Sequence, residues 1–420
     1  MKKIAALLTA CLASIALTGC AGSIAKASRS GPGGEGFGFG AEQADVNAIV
    51  DRLEPTTITF QPSASSPKSI MADNGLSFKE YVEKRSHGRI MVDIVWGQAI
   101  AGYSEVHDAL ADGRVDVSYT LPGYLPTDYP AVNALGTAMS ALPAAQPVSG
   151  ELIANGSAAE LGWNNEQVLE EYADRGLVTL HPFIASGGYY GICTDPLTSL
   201  ADWKGKQVRI ATASQGQVVT KMGASPVSLA FPETYEALQR GTVDCTLGQR
   251  LPSAESHIFD VAPNIAYTTK TSFSRTPGAY LAGLTYTKMP LAYQQIVFDA
   301  MGESAGRNIA TVMKGTADSV RQSRAAKGTI EAMDDEAQTA IGESFKGLVQ
   351  RDIERGTAAG DIRSTVDEVQ AAWTARVKEM DVPDGDLATM DKWYDAEQAN
   401  FQGYADAITS LPGWRSHRPS

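Results

Sequence analysis

A twelve-residue pattern that occurs twice constrains the fold of this chain more than any other feature. Residues 105–116 read EVHDALADGRVD, and residues 233–244 read ETYEALQRGTVD. Six residues of the first copy recur at identical spacing in the second: Glu105, Ala109, Leu110, Gly113, Val115 and Asp116 match Glu233, Ala237, Leu238, Gly241, Val243 and Asp244. Each copy predicts a short helix that ends at a glycine and leads into a strand. The repeat therefore predicts two similarly built α/β lobes, with a ligand cleft between them.

The segments around the two copies also alternate between strand and helix. Residues 56–60 (TTITF) and 89–96 (RIMVDIVW) are predicted strands, and the helix between them keeps its apolar residues on one face: Leu76, Phe78, Tyr81 and Val82. A glycine followed by a strand precedes each copy of the repeat, as HGRIMVDI in the first half and KGKQVRIA in the second. Strands that alternate with helices predict an α/β fold with a largely parallel or mixed sheet in each lobe.

The pattern along the chain suggests how the lobes divide it. We expect residues 51–185 to form lobe 1, completed by about 275–312, and residues 186–274 to form lobe 2, completed by about 313–350. Apolar residues recur at helical spacing from about residue 290 onward, which predicts helices there. Residues 351–420 are expected to form a helical C-terminal extension.

The N-terminus predicts an extracytoplasmic location. Lys2 and Lys3 precede an apolar segment that is too short to be a membrane-spanning helix, so residues 1–19 are predicted to be a signal peptide. The end of this segment, LTGC, resembles the lipobox of bacterial lipoproteins, in which Cys20 would carry a diacylglycerol. An ordinary secretory signal with a chance cysteine is the alternative. Residues 20–50, rich in glycine, serine and alanine at their start, predict a flexible tether, so contact with the membrane is expected only through the lipid anchor.

Two cysteines remain once Cys11 is lost with the signal and Cys20 is lipidated. Cys193 and Cys245 are a candidate disulfide in an oxidising compartment, and two buried thiols are the alternative. A loop of about 50 residues closed by this bond would stabilise the fold by about 4 kcal/mol on the chain-entropy account.

Charge and motifs exclude several classes of function. The formal net charge is −13, which argues against nucleic acid as a partner because phosphate binding needs a basic surface. The five histidines form no paired metal-binding motif, and neither metal, cofactor nor catalytic activity is predicted. Asp116 and Asp244, each between a helix and a strand, are predicted to have a structural role.

One region resembles a known family. The segment LTSLADWKGKQVRIATASQGQVVTKMGASPVSLAFPETYEALQRGTVD, from residue 197 to 244, is similar to the core of the solute-binding subunits of tripartite ATP-independent periplasmic (TRAP) transporters, of the dicarboxylate-binding DctP type. The matching elements are the Asp-x-x-Gly-x-x-x-Arg run from Asp202 to Arg209, GASPV at Gly223, and the second copy of the repeat. The first copy and its strand also fit, so the resemblance covers about residues 55–300. It implies a two-lobe periplasmic-binding-protein-like fold with a long connecting helix.

The resemblance also implies which residues bind the ligand. Arg209 matches the arginine that binds the ligand carboxylate through its guanidinium, a planar group suited to two parallel hydrogen bonds. Its alternative role is a structural ion pair with a nearby acid. Phe231 matches a position that packs on the ligand, and Thr212 matches a position close to it. Ser63 and Thr120 match positions of lobe 1 that face the cleft.

The sequence departs from the family pattern at two places. Tyr189 stands at or near the position where the family often has a second arginine, and Gln249 lies beside the glycine that replaces a common asparagine. These departures argue against a ligand with two carboxylates. A monocarboxylate with an apolar or aromatic body, in contact with Tyr189 and Phe231, is the alternative.

The function implied is that of a monomeric receptor, not an enzyme. It would capture an organic acid in the cleft and deliver it to the integral membrane subunits of a TRAP transporter. A binding protein that reports to a sensor kinase, or a secreted lipoprotein enzyme that acts on an organic acid, are the alternatives.

Overall fold

The computed structural model describes residues 34–141, 146–185 and 187–420. The predicted signal peptide, the predicted lipidation site Cys20 and the first part of the predicted tether lie outside the described residues. The strands are β1 (Thr56–Gln61), β2 (Ile90–Ile94), β3 (Val117–Thr120), β4 (Val178–Ile184), β5 (Tyr189–Cys193), β6 (Gln207–Ile210), β7 (Ser225–Ser228), β8 (Cys245–Gln249), β9 (Asn264–Tyr267), β10 (Gly278–Ala282) and β11 (Ile330–Ala332).

The α-helices follow the same numbering along the chain. They are α1 (Gln43–Val50), α2 (Asp73–Arg85), α3 (Val106–Ala111), α4 (Pro130–Ala138), α5 (Ser149–Trp163), α6 (Glu166–Ala173), α7 (Ala213–Lys221), α8 (Thr234–Gln239), α9 (Arg250–Glu255), α10 (Leu284–Lys288), α11 (Leu291–Glu303), α12 (Ala305–Ala325), α13 (Asp335–Glu354), α14 (Ile362–Lys378), α15 (Met390–Trp393), α16 (Gln402–Thr409) and α17 (Pro412–His417).

Two mixed sheets form the centres of the two lobes. The sheet of lobe 1 has the order β2-β1-β3-β10-β4, and the sheet of lobe 2 has the order β11-β9-β5-β8-β6-β7. In both, three parallel strands are followed by an antiparallel one, which is β10 in lobe 1 and β5 in lobe 2. Among the described residues the chain passes from one sheet to the other three times, from β4 to β5, from β9 to β10 and from β10 to β11. The predicted two-lobe α/β fold with mixed sheets is confirmed.

The repeated segment has the same role in both lobes. Its aspartate accepts a hydrogen bond from a backbone N–H of the neighbouring parallel strand. Asp116 accepts from Thr59 of β1, and Asp244 accepts from Gln207 of β6, each at 2.7 Å. Both carboxylates therefore fasten one strand to the end of a helix, which is the structural role predicted for them.

The two glycine-then-strand segments, in contrast, are not equivalent in the fold. HGRIMVDI forms β2, an edge strand, whereas KGKQVRIA forms β6, which lies between β7 and β8. The counterpart of β2 is β7, which follows Gly223. Gly88 and Gly223 both have positive φ, at 75° and 86°, where they end the preceding helix. The sequence match of Gly88 with Gly205 thus pairs β2, an edge strand of lobe 1, with β6, an interior strand of lobe 2.

The predicted tether extends too far into the folded body. Phe37, Val46 and Val50 are buried, and the last two lie on helix α1. The Phe37 N–H donates to Gln295 Oε1 at 2.7 Å, and the Arg418 guanidinium lies 5.2 Å from the Phe37 ring. The prediction that residues up to 50 form a tether was therefore wrong. The glycine-rich composition around Phe37 indicated a flexible segment, but the Phe37 side chain packs against the C-terminal residues.

Helix α12 and the C-terminal helices join the lobes. Helix α12, 21 residues long, packs on α9 of lobe 2 and on α2 and α16, which is the arrangement predicted for a long connecting helix. Helix α14 packs along α5, where the Trp373 ring lies over Gly156. No helix in the described part of the chain is long and apolar enough to cross a membrane.

Candidate ligand-binding site

A cavity of about 150 Å³ lies between the two lobes. Lobe 1 contributes residues that follow β1, β2 and β3, and lobe 2 contributes residues of β5, β6 and the end of β8. Helix α12 supplies part of a further wall. Loops at the ends of parallel strands are the usual binding positions in α/β sheets. A cavity of about 150 Å³ is large enough for one benzene ring.

Arg209 reaches this cavity from β6. It lies opposite Val227 of β7 and Thr246 of β8, and its side chain is only 1% exposed. Val208 and Ile210, its neighbours in sequence, pack into the core of lobe 2. The alternation of the strand thus explains a charge between two aliphatic residues, since the charged side chain lies on the face towards the cleft.

The Arg209 guanidinium is partly committed to the protein. Nε donates to Leu229 O at 3.0 Å, Nη1 to Leu247 O at 3.4 Å, and Nη2 to the Tyr124 hydroxyl at 3.2 Å. A guanidinium has five N–H donors, so one remains on each terminal nitrogen. No described carboxylate lies within 4 Å of it, which contradicts the alternative role as a structural ion pair. A buried cation without a protein acid is a ready partner for an anionic ligand.

A wall of tyrosine rings leads away from Arg209 along the cavity. Tyr124 contacts Tyr103 with 6.1 Å between ring centroids, Tyr103 contacts Tyr119 at 6.1 Å, and Tyr119 contacts Tyr280 at 5.4 Å. Burial raises the pKa of Tyr103, and the neighbouring Tyr119, Tyr124 and Tyr280 raise it further. Burial also raises the pKa of Tyr280. The Tyr103 and Tyr280 hydroxyls are therefore neutral at physiological pH, and the wall offers aromatic surface to a ligand.

Five of the seven residues predicted to bind the ligand line this cavity: Ser63, Tyr189, Arg209, Phe231 and Gln249. Phe231 lies with its ring centroid 5.7 Å from the Arg209 guanidinium carbon. The Tyr189 hydroxyl donates to Thr276 Oγ1, and Gln249 Nε2 donates to Gly187 O at 3.2 Å. The last two contacts hold side chains of lobe 2 against the crossing segments between the lobes.

Thr120 and Thr212 do not line the cavity, so their predicted positions were wrong. Thr120 is the neighbour of Tyr119 on β3, and strand alternation turns its side chain to the other face, where its hydroxyl donates to Ala279 O at 3.3 Å. Thr212 is the N-cap of α7, and its hydroxyl accepts a hydrogen bond from Gln215 N at 3.3 Å. Both hydroxyls stabilise local backbone structure.

Sequence reasoning missed the tyrosine wall and a set of amides. Tyr103, Tyr119 and Tyr124 lie at or after the ends of β2 and β3, so the rule that strand ends carry ligand contacts would have found them. Asn308 lies on α12, which no sequence pattern connects with the cleft. Tyr404 of the C-terminal extension also lines the cavity, and no sequence pattern connects that extension with the cleft.

A second buried arginine lies behind the cavity but is neutralised by the protein. Arg275, in the segment between β9 and β10, binds Glu151 of α5 with Nη1–Oε2 and Nη2–Oε1 distances of 2.6 and 3.2 Å. Glu151 Oε1 also accepts from Gly188 N at 2.8 Å, so one carboxylate holds the β4–β5 segment and the β9–β10 segment, two of those that cross between the lobes. Arg209 therefore remains the one cationic side chain among the described lining residues.

The described residues offer no arrangement for metal binding. Within 34–141, 146–185 and 187–420, no group of three or more histidine, cysteine, aspartate or glutamate side chains is placed to hold a metal ion. Cys193 and Cys245 form a disulfide between β5 and β8, where they lie directly opposite each other. What this site offers is one cation, aromatic surface and neutral hydrogen-bonding groups.

Several known proteins resemble this chain. The ectoine-binding periplasmic protein TeaA of Halomonas elongata is 26% identical over 197 residues, which are 45% of this chain and 56% of TeaA. A solute-binding protein of Sulfitobacter is 25% identical over 138 residues, 33% of this chain and 41% of its own length. The matches thus span roughly half the length of these curated relatives.

The fold is shared more widely. A TRAP solute-binding protein from Rhodoferax ferrireducens T118, solved with copurified benzoate, superposes with a TM-score of 0.63 at 19% identity and covers 77% of this chain and 99% of its own. The profile of the family "Bacterial extracellular solute-binding protein, family 7", named DctP, matches residues 61–355. That match includes both copies of the repeat and the Arg209 segment, and the chain therefore belongs to this family of bacterial extracellular solute-binding proteins.

Proposed function

We propose that this protein is a TRAP transporter receptor that captures a small organic acid outside the cytoplasm and delivers it, unchanged, to a membrane permease. The observation that carries the proposal is the buried Arg209, with two N–H donors directed to no described acceptor and no described acid beside it. In a site of low polarity, a carboxylate would satisfy both donors.

We further propose that the ligand has one carboxylate. Arg275, the buried arginine that would offer a second clamp, is bound by Glu151, and Tyr189 occupies a position where a second cation would face the cavity. The neutral tyrosine wall suits an apolar or aromatic ligand body. The Rhodoferax ferrireducens protein with copurified benzoate has a comparable ligand.

The decisive experiment identifies the ligand and removes the arginine. Native mass spectrometry of the purified protein, followed by denaturation and analysis of the released molecule, should find a small monocarboxylate. Calorimetric titration of that acid into the Arg209→Leu variant should show a loss of affinity of at least 100-fold. Undiminished affinity would refute the role of Arg209, and conversion of the acid into a product would identify an enzyme.

Membrane attachment and partners follow from the same proposal. Cys20, outside the described residues, would carry the lipid, so a Cys20→Ser variant should leave the membrane fraction.

Deletion of the neighbouring permease genes should abolish uptake of the acid if the protein serves transport, and leave uptake unchanged if it reports to a sensor kinase. Sedimentation of the ligand-bound protein should give the mass of a monomer.

A further inference from the structure

The cavity has a second polar end, remote from Arg209. The tyrosine wall begins at Tyr124, which bonds Arg209, and ends at Tyr280. Tyr280 lies opposite His181 in the pairing of β10 with β4. The side chain of Ser63 also forms a hydrogen bond with Tyr280. This bond partly opposes the increase in the Tyr280 pKa that burial causes.

Buried polar atoms without a partner gather at this second end. Asn74 Oδ1, Asn308 Oδ1 and His181 Nδ1 have no hydrogen-bond partner among the described residues, and all three side chains line the cavity. Native proteins leave few such atoms unpaired, because each costs free energy unless a ligand, water or ion satisfies it.

Local contacts hold these groups in place. Asn74 Nδ2 donates to Ser63 Oγ at 3.1 Å, which turns the amide oxygen away from Ser63. Asp73 and Arg307, the neighbours of Asn74 and Asn308 in sequence, form an ion pair that fastens α2 to α12. The two amides are therefore carried by helices that are tied together beside them, so the subsite is preorganised.

The chemistry of this end is neutral. No aspartate or glutamate is among the described lining residues of the cavity. Burial lowers the pKa of His181 to about 4, so the imidazole is uncharged at physiological pH. A ligand ammonium would find no counter-ion here, whereas a hydroxyl or amide N–H could donate to the unpaired amide oxygens.

We infer that the ligand carries, at the end opposite its carboxylate, a neutral hydrogen-bond donor such as a hydroxyl, which Asn74 and Asn308 bind. This inference rests on the proposed function, because it assumes that Arg209 holds the carboxylate. The ligand then joins the lobes, with Arg209 of lobe 2 at one end and Asn74 of lobe 1 at the other. A hydroxylated monocarboxylic acid with a ring or short chain is the class that fits.

Matched acids test the inference by calorimetry on the mature protein. The pairs are benzoate with 3- and 4-hydroxybenzoate, cyclohexanecarboxylate with its 4-hydroxy derivative, and hexanoate with 6-hydroxyhexanoate. In at least one pair the hydroxyl should improve affinity by about 10- to 100-fold, since an unpaired buried acceptor becomes satisfied. The Asn308→Leu and Asn74→Leu variants should lose that gain, so that the two members of each pair bind them with nearly equal affinity.

The outcomes separate the inference from the proposed function. If acids bind through Arg209 but the hydroxyl adds nothing in any pair, the inference is overturned and the proposed function stands. If 4-(aminomethyl)benzoate binds more tightly than every hydroxylated acid, the neutral character of the subsite is refuted. If the asparagine variants weaken both members of a pair equally, the amides only support the fold. If no acid binds, both proposals fail together.

Discussion

The two lobes place different side chains at the same position of the same strand pattern. The hydrogen bonds of Asp116 and Asp244 align β1 with β6, and this puts Gln61 of lobe 1 where lobe 2 has Arg209. Gln61 pairs with Ser118 of β3, as Arg209 pairs with its counterpart on β8. Both side chains are about 1% exposed.

Both residues also fasten a loop that follows the neighbouring edge strand. Gln61 Nε2 donates to Ala101 O at 3.0 Å and its Oε1 accepts from Ile100 N at 3.1 Å, after β2. Arg209 Nε donates to Leu229 O at 3.0 Å, after β7. The glutamine uses both the nitrogen and the oxygen of its amide on the loop, whereas the arginine fastens its loop with one donor and keeps two for the cavity. The comparison teaches that a longer, charged side chain at this position fastens the same kind of loop and still directs donors into the cavity.

The largest difference between the lobes is covalent. Cys193 and Cys245 of lobe 2 face each other where lobe 1 pairs Ala282 with Val117. Replacing them with the pair of lobe 1, as Cys193→Ala with Cys245→Val, should lower the free energy of unfolding by about 4 kcal/mol, because a loop between residues 52 apart is no longer closed in the unfolded chain. Urea unfolding followed by tryptophan fluorescence measures this loss.

Reduced wild-type protein is the control for the cysteine variant, and it should unfold at nearly the same urea concentration. An unchanged midpoint in the variant would mean that the disulfide does not stabilise lobe 2. Affinity for the acid should persist wherever the variant is folded, since neither cysteine lines the cavity.

Replacing Arg209 with the glutamine that lobe 1 has at the equivalent position is expected to have the next largest effect, on ligand affinity. Arg209→Gln gives lobe 2 the side chain of lobe 1 and removes two charge-assisted hydrogen bonds, so affinity for the acid should fall by at least about 100-fold, or about 3 kcal/mol. Stability without ligand should not fall, because a buried charge without an acid partner is lost with the arginine. Calorimetry and thermal unfolding give the two quantities.

Gln61→Leu is the matched variant in lobe 1. It leaves the backbone of Ile100 and Ala101 unpaired and should lower stability by about 1–2 kcal/mol, with affinity changed only a few-fold. If Gln61→Leu weakens binding as strongly as Arg209→Gln, the contrast between a structural role for Gln61 and a binding role for Arg209 is refuted.

The sequence was informative where a signal is local or repeated. The repeat predicted two lobes, and the Asp-x-x-Gly-x-x-x-Arg run, through its resemblance to a known family, singled out Arg209, which lines the cavity. The polar end of the cavity was not predictable, because Asn74, His181 and Asn308 come from α2, β4 and α12 and meet only through tertiary packing. Thr120 was misplaced by one residue, since the side-chain period of a strand gives its neighbour the opposite face.

Acid should affect lobe 1 more than lobe 2. Burial lowers the pKa of His107 to about 4, with Arg175 adding to the effect, and burial lowers the pKa of His181 to about 4. Both lie in lobe 1, whereas His257 of lobe 2 is exposed. Since the unfolded histidines titrate near 6.5, the unfolded chain takes up protons between pH 6.5 and pH 4 that the native state does not. Their contribution to stability is complete above pH 6.5 and is lost as the pH falls towards 4.

The expected loss at pH 5 is about 2 kcal/mol for each of these histidines. Urea unfolding of the wild type and of a His107→Leu variant, at pH 7.5 and pH 5, measures the share of one histidine as the difference between their pH dependences. His257→Gln is the control and should follow the wild type. Identical pH dependence in all three proteins would show that His107 titrates normally in the native state.

The smallest expected difference concerns the aspartates that align the lobes. Asp116 Oδ2 accepts from Thr59 N at 2.7 Å and from Thr59 Oγ1 at 2.9 Å, whereas Asp244 Oδ2 accepts from Gln207 N at 2.7 Å. Asp116 is also more buried. Asp116→Ala should therefore cost about 2 kcal/mol of stability and Asp244→Ala about 1 kcal/mol, measured by urea unfolding. If the losses of stability add in the double variant, each lobe keeps its own helix–strand connection. If Asp244→Ala lowers the affinity for the acid and Asp116→Ala does not, the Asp244 connection also positions Arg209, two residues further along β6.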